Sequence, residues 1–253
     1  MIFDSHAHYN DEAFNEDRDQ LLTKLHSEGV EKIVNVCADL ASINETIELT
    51  EKYDFMYGAL GIHPSDSGPL TEADMDRIQE LCSLEKIVAV GEIGLDYHWP
   101  DPDHDTQKRW FNRQLELSRE VKLPVIIHSR EACKDTLDIL KNYKDVNGIV
   151  HCYSYTKETA RDYLDMGYSF GIGGVITFKN AAKLKEAVEY IPLDKIVLET
   201  DCPYLAPVPF RGDRNHSGNI RLVIEEIASI KNVSVEEVEE QCYNNTMKIY
   251  GVN

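Results

Sequence analysis

The chain has 253 residues, 42% of them hydrophobic, and a formal net charge of −19. That length and apolar content supply a sizeable core and argue against a disordered chain. The acidity argues against nonspecific wrapping of long nucleic acid through a basic face, but leaves room for a small positive cleft where metal ions sit.

The first apolar run, "MIFDSHAHYN", reads as a strand that ends in His6 and His8. Side chains two apart on a strand share a face, so both imidazoles point the same way and suit a shared metal ion. Further short runs rich in Val and Ile follow: "EKIVNVCA", "MYGALGIH", "KIVAVGEIG", "LPVIIH", "GIVHC", "YSFGIGG" and "DKIVLETD". Runs this short and nearly uninterrupted suit parallel strands buried on both faces. Stretches at helical spacing separate them. Ser42 with Glu45 and Ser234 with Glu237 form capping-box patterns, Gly29 and Gly167 are placed to end helices, and a last helix is expected over roughly 234–250.

Eight such units favour a single-domain α/β fold over residues 1–253, a (β/α)8 or TIM barrel. An open doubly wound sheet is the alternative, weakened because no glycine-rich phosphate loop follows the first strand.

Polar residues gather at the C-terminal ends of the expected strands. His63 closes "GIHP", Glu92 and Asp96 lie in "GEIGLDY", His128 and Arg130 in "IIHSR", His151 in "VHCYS", and Glu199 and Asp201 in "LETDCPYL". In a closed barrel these ends converge on one mouth, where barrel enzymes place their sites. His6, His8 and Asp201 suit one metal ion. Glu92 can bridge to a second held by His128 and His151, about 3.5–4 Å away. Two divalent ions outweigh the charges of Glu92 and Asp201, so the centre keeps a positive balance suited to a phosphate ester.

With "DSHAH", "GIHP", "VGEIGLDY", "PVIIHSR", "HCYS", "LETDCPYL" and "PVPFRGDRN" in this order, the sequence resembles the TatD family of metal-dependent deoxyribonucleases, within the amidohydrolase superfamily. The resemblance spans nearly the whole chain. It implies a (β/α)8 barrel and phosphodiester hydrolysis, with 3'-to-5' trimming of DNA. It also implies metal ligation by His6, His8, Glu92, His128, His151 and Asp201, and a pocket role for His63 and Glu199. Phe210 and Ser217 stand where the family often has histidine and proline, which bears on substrate preference rather than on ligation.

The expected chemistry is attack on phosphorus by a water activated between two cations (Mg, Mn or Zn), with Asp201 orienting it or taking its proton. Glu199, two residues earlier on the same face, is expected to tune Asp201 or accept a proton, and His63 to donate to phosphate. Arg130 and Arg211 are candidate phosphate contacts, and Tyr153 and Tyr204 candidate stacking surfaces for bases. Asp96 is expected to support the loop beneath Glu92. Lys179, Lys183 and Lys185 read as a solvated helix face. Rival readings are an amide or lactone hydrolase using the same centre, and a binding protein that keeps the metals without catalysis.

The six cysteines form no C-x-x-C pair and read as reduced thiols. No secretory signal or membrane span is visible. The expectation is a cytoplasmic monomer whose partner is DNA, at short or single-stranded ends.

Overall fold

The eight Val- and Ile-rich runs become strands in the computed structural model, which describes residues 1–252. They are β1 (Ile2–Ala7), β2 (Val30–Val36), β3 (Met56–Leu60), β4 (Ile87–Asp96), β5 (Val125–Arg130), β6 (Gly148–Val150), β7 (Ser169–Ile172) and β8 (Ile196–Leu198). Each pairs in parallel with the next, in sequential order. That order rules out the doubly wound sheet, whose strand order reverses. At the upper end of β1 the seam is closed by backbone bonds to the segment after β8, Asp201 N–H to His6 O at 3.0 Å and His8 N–H to Cys202 O at 2.8 Å.

Nine α-helices lie among the described residues: α1 (Arg18–Ser27), α2 (Ser42–Lys52), α3 (Glu72–Leu81), α4 (His104–Val121), α5 (Cys133–Leu140), α6 (Lys157–Asp165), α7 (Ala182–Tyr190), α8 (Ile220–Lys231) and α9 (Val235–Tyr250). Gly29 and Gly167 follow α1 and α6 at φ +96° and +90°, where a Cβ would be strained. Ser234 caps α9 by accepting from Glu237 N. The expected Ser42–Glu45 box does not form. Asp39 Oδ1 instead accepts from Ser42 N, while Asp39 N donates to Ser42 Oγ, which moves the box three residues towards the N-terminus. Asp39 is the stronger acceptor for the free helix N–H groups, and Ser42 already lies inside the first turn.

The core has two layers. Between strands and helices lies a large cluster that includes Ile33, Leu60, Ile127 and Phe170 with Trp110, Phe111 and Ile224. Inside the barrel lies a smaller one, with Phe3, Val34, Val88, Ile126, Ile149 and Val197 drawn from six strands. Helix α9 plugs its lower end. The Phe3 ring sits 6.0 Å from Tyr243 and 6.2 Å from Tyr250, and the Tyr250 hydroxyl donates to Ser5 O. Each buried large apolar side chain contributes about 1.5–3 kcal/mol.

Strict alternation breaks down in β1 and β4. Phe3 faces the inner cluster, yet Ala7, an even number of residues on, faces the outer one. The register between β1 and β2 shifts between Asp4 and Ala7, and this irregularity turns His6 and His8 into the barrel mouth. The same happens in β4. Val90 and Ile93 both face outward, and a register shift between them sends Glu92 inward. Gly91 permits it, because a Cβ there would come within 2.6 Å of Ile126 Cβ.

Candidate metal centre

Four electron-pair donors converge at the first position. His6 Nε2 and His8 Nε2 are 3.0 Å apart. Asp201 Oδ1 lies 3.6 and 3.2 Å from them, and Glu92 Oε2 lies 3.4 and 3.9 Å from them. A tetrahedral cation with bonds near 2.0–2.1 Å sets its ligands about 3.3 Å apart, so these spacings fit one. Glu92 turns its other oxygen to a second group. Oε1 is 2.6 Å from His128 Nδ1 and 2.9 Å from His151 Nε2.

The neighbouring contacts fix the tautomers. His8 Nδ1 is 2.8 Å from Val36 O, an acceptor only, so it carries the proton and leaves Nε2 with its lone pair. His128 Nε2 is 3.1 Å from Asp96 Oδ2, a partner that would keep the ring proton on Nε2 when Nδ1 binds a cation. Asp96 therefore orients His128. It is itself held by α4, since Gln107 clamps the Asp96 backbone N–H and C=O at 2.8 Å each. Gln107 and Gln114 sit on the buried face of α4 with Trp110 and Phe111. Two amides at core positions were a readable signal that α4 grips loops as well as packing.

Burial opposes a charged Glu92, but His151 and the hydrogen bond from His128 outweigh it and hold its carboxyl well below the usual range. Burial also opposes a charged His151, yet Glu92 and Glu199 raise it well above the ordinary histidine value. The carboxylates thus draw positive charge into the site. Histidine and carboxylate donors pointing at common positions are the donor set that divalent zinc, manganese or magnesium ions accept.

His63 lies beside this pair, with Nε2 3.9 Å from Glu92 Oε1. Its Nδ1 accepts from Ser65 N, so the neutral ring keeps its proton on Nε2 and offers a donor to the cavity. Burial and the neighbouring His128 push its pKa down to about 3, which keeps it neutral. His26, His98, His104 and His216 stand apart, for instance with His26 stacked on Phe55 and His104 on Tyr97.

Two expectations need correction. Glu199 does not reach Asp201. It is 1% exposed, accepts from Cys152 N at 2.6 Å, and sits 3.6 Å from His151 Nδ1. Strand β8 has ended by Leu198 and Asp201 takes a left-handed φ of +56°, so the shared strand face is lost between them. Gly171 makes space for this carboxylate, because a Cβ there would fall 1.9 Å from Glu199 Oε2. Tyr153 does not face a substrate either. Its ring is buried against Phe170 and Tyr163, and its hydroxyl donates to Thr156 O.

A cavity of about 760 Å³ opens over the centre, lined by His8, His63, Glu92, His128, His151 and Asp201. Arg130, Tyr204 and Trp99 also line it, and Trp99 is a residue the sequence reading missed. Arg211 instead lies over the Phe178 ring, 4.4 Å from its centroid. Lys185 pairs with Glu226, while Lys179 and Lys183 are exposed. Asp4 was missed as well. It is fully buried and accepts from Thr200 N, Thr200 Oγ1 and Ser217 Oγ, tying β1 to the segment after β8. Ser217, one of the departures from the family pattern, thus has a structural partner.

A sequential parallel barrel with histidines and carboxylates converging at its C-terminal mouth defines the class of metal-dependent hydrolase barrels. The family model described as TatD related DNase matches residues 3–251, and the chain belongs to that family of metal-dependent hydrolases. It is 43% identical to the uncharacterized metal-dependent hydrolase YabD of Bacillus subtilis, over 100% of both chains. It is 34% identical to the uncharacterized metal-dependent hydrolase YcfH of Escherichia coli K12, over 100% of this chain and 97% of the relative. Among solved structures it is similar to the TatD homologue YjjV of E. coli K12, with TM-score 0.94, 29% identity, and coverage of 100% of this chain and 98% of that one. A TatD family hydrolase from Entamoeba histolytica matches with TM-score 0.90 and 25% identity, over 98% and 97% of the two chains.

All six cysteines are free thiols. Among the described residues no helix is long and apolar enough to cross a membrane.

Proposed function

We propose that the protein is a deoxyribonuclease that removes nucleotides from DNA ends in the 3'-to-5' direction with two bound divalent cations. The observation that carries this reading is the division of Glu92. One oxygen faces His6, His8 and Asp201, and the other faces His128 and His151. When bound, the two cations would acidify a water and stabilise charge on the phosphate oxygens.

The chain's own groups supply the rest. Asp201 lines the cavity and takes the proton of the attacking water. His63, neutral and with its proton on Nε2, donates to a phosphate oxygen. Arg130 at the cavity wall offers a guanidinium fork for the same group. Asp96 and Glu199 do not touch substrate in this scheme. They hold His128 and His151 in place.

The test is a time course on single-stranded DNA labelled at its 5' end, with Mg or Mn, with chelator, and with Asp201→Asn. A ladder that shortens one nucleotide at a time, abolished by chelator and by the substitution, is the expected result. Turnover of a lactone or amide without cleavage of DNA would favour the carbonyl-hydrolase alternative instead.

A further inference from the structure

A second, smaller cavity of about 410 Å³ opens from the same centre. It shares His128, Arg130, His151, Asp201 and Tyr204 with the larger one, so the two meet at the metal ligands. Their far sides differ. The larger cavity continues past Asp11, Asp39 and Asp66. The smaller continues past Cys152, Val175 and Leu205, and its sole carboxylate is Asp201.

The backbone around this recess is strained. Among the described residues, six non-glycine residues have left-handed φ. Lys122 and Asn232 terminate α4 and α8, where that conformation is ordinary. Cys152, Asp201 and Leu205 line the recess, at φ +45°, +56° and +53°. Leucine is poorly suited to this region, and here it gains little packing in return, being 38% exposed. Tyr204 beside it is 55% exposed, its hydroxyl tethered to Asp11. Gly174 lets this loop seat closely, because a Cβ there would fall 2.2 Å from Leu205 O. Strain that presents apolar side chains to an open recess next to a reactive centre is the pattern of a ligand clamp.

We propose that this recess is a base-binding subsite. It takes the nucleobase of the nucleotide whose phosphate sits on the metal ligands, with Tyr204, Leu205 and Val175 as its walls. The proposal rests on the phosphodiesterase reading above. A flat aromatic ring gains from stacking and apolar contact with such walls whatever its identity, so the subsite selects for a base without selecting which base.

The experiment compares two esters with the same leaving group on Mn-loaded enzyme, the p-nitrophenyl ester of thymidine 5'-phosphate and methyl p-nitrophenyl phosphate. The measured quantity is the ratio of their kcat/KM values, in which loss of folded protein cancels. The wild-type ratio is expected to favour the thymidine ester by about tenfold or more, the scale of one stacked base. Leu205→Gly relaxes the left-handed backbone while removing a wall, so it should fold and lower the ratio severalfold. Val175→Trp fills the recess and should bring the ratio near unity. A wild-type ratio near unity, or a ratio unmoved by both substitutions, overturns the subsite while leaving the phosphodiesterase reading intact. Failure to hydrolyse either ester, with turnover of a lactone or amide, overturns both.

Discussion

The two ends of the barrel are built from the same eight strands and do opposite work. At the lower end Phe3, Val34, Val88 and Val197 fill the interior, and Tyr243 and Tyr250 of α9 seal it. At the upper end His6, His8, Glu92 and His151, all buried, gather in contact at the base of a cavity. One end buries apolar surface and contributes stability. The other buries charge and imidazole, which is costly unless a cation neutralises the carboxylates. The change from one to the other occurs at two register shifts, Asp4 to Ala7 in β1 and Val90 to Ile93 in β4. In β5 and β6 the alternation alone suffices, with His128 and His151 two residues beyond the inner Ile126 and Ile149, whereas β1 and β4 break theirs once to bring His6, His8 and Glu92 inward.

If the ends are separable, substitutions should divide cleanly between activity and stability. The largest effect is expected at Glu92. Glu92→Gln removes the charge shared by both positions and should lower metal-dependent turnover by about a thousandfold or more. Thermal stability in chelator should fall by a smaller margin, because the substitution leaves the charge that Glu92 draws onto His151 without its nearest partner. Phe3→Ala is the reverse case. It should cost about 3–5 kcal/mol in denaturant unfolding, while folded protein retains its metal content.

Smaller effects sharpen the boundary. Asp96→Asn loses the carboxylate that orients His128, and should weaken metal binding by about 10–100-fold in a competition titration. Gly171→Ala is subtler, because the added methyl must displace the Glu199 carboxylate that borders His151. Activity should fall by about tenfold, and double substitution with Glu199→Gln should not be additive. Additive losses would mean that Gly171 acts by another route.

Much of this was legible in the sequence. The strands announce themselves because parallel barrel strands are buried on both faces and so read as short β-branched runs. The candidate ligands are readable because His6, His8, Glu92, His128, His151 and Asp201 all fall at the ends of those runs. What the sequence hides is direction. Alternation predicts that Glu199 and Asp201 act together, but β8 ends at Leu198, before either of them, and Glu199 turns to His151. Tyr153 and Tyr204 both follow ligands by two or three residues. One joins the core beside Phe170 and the other faces solvent, a difference set by packing partners far away in the chain. Asp4 could have been suspected, since a carboxylate inside an apolar strand needs partners, but Thr200 and Ser217 are distant and only the closed barrel brings them near.

The most direct test of the central claim is metal stoichiometry. Protein stripped with chelator, reloaded with Mn or Zn and freed of excess by dialysis should hold two ions per chain, and Glu92→Gln should hold fewer. A wild-type value that saturates at one ion, unchanged by Glu92→Gln, would contradict a carboxylate shared between two cations.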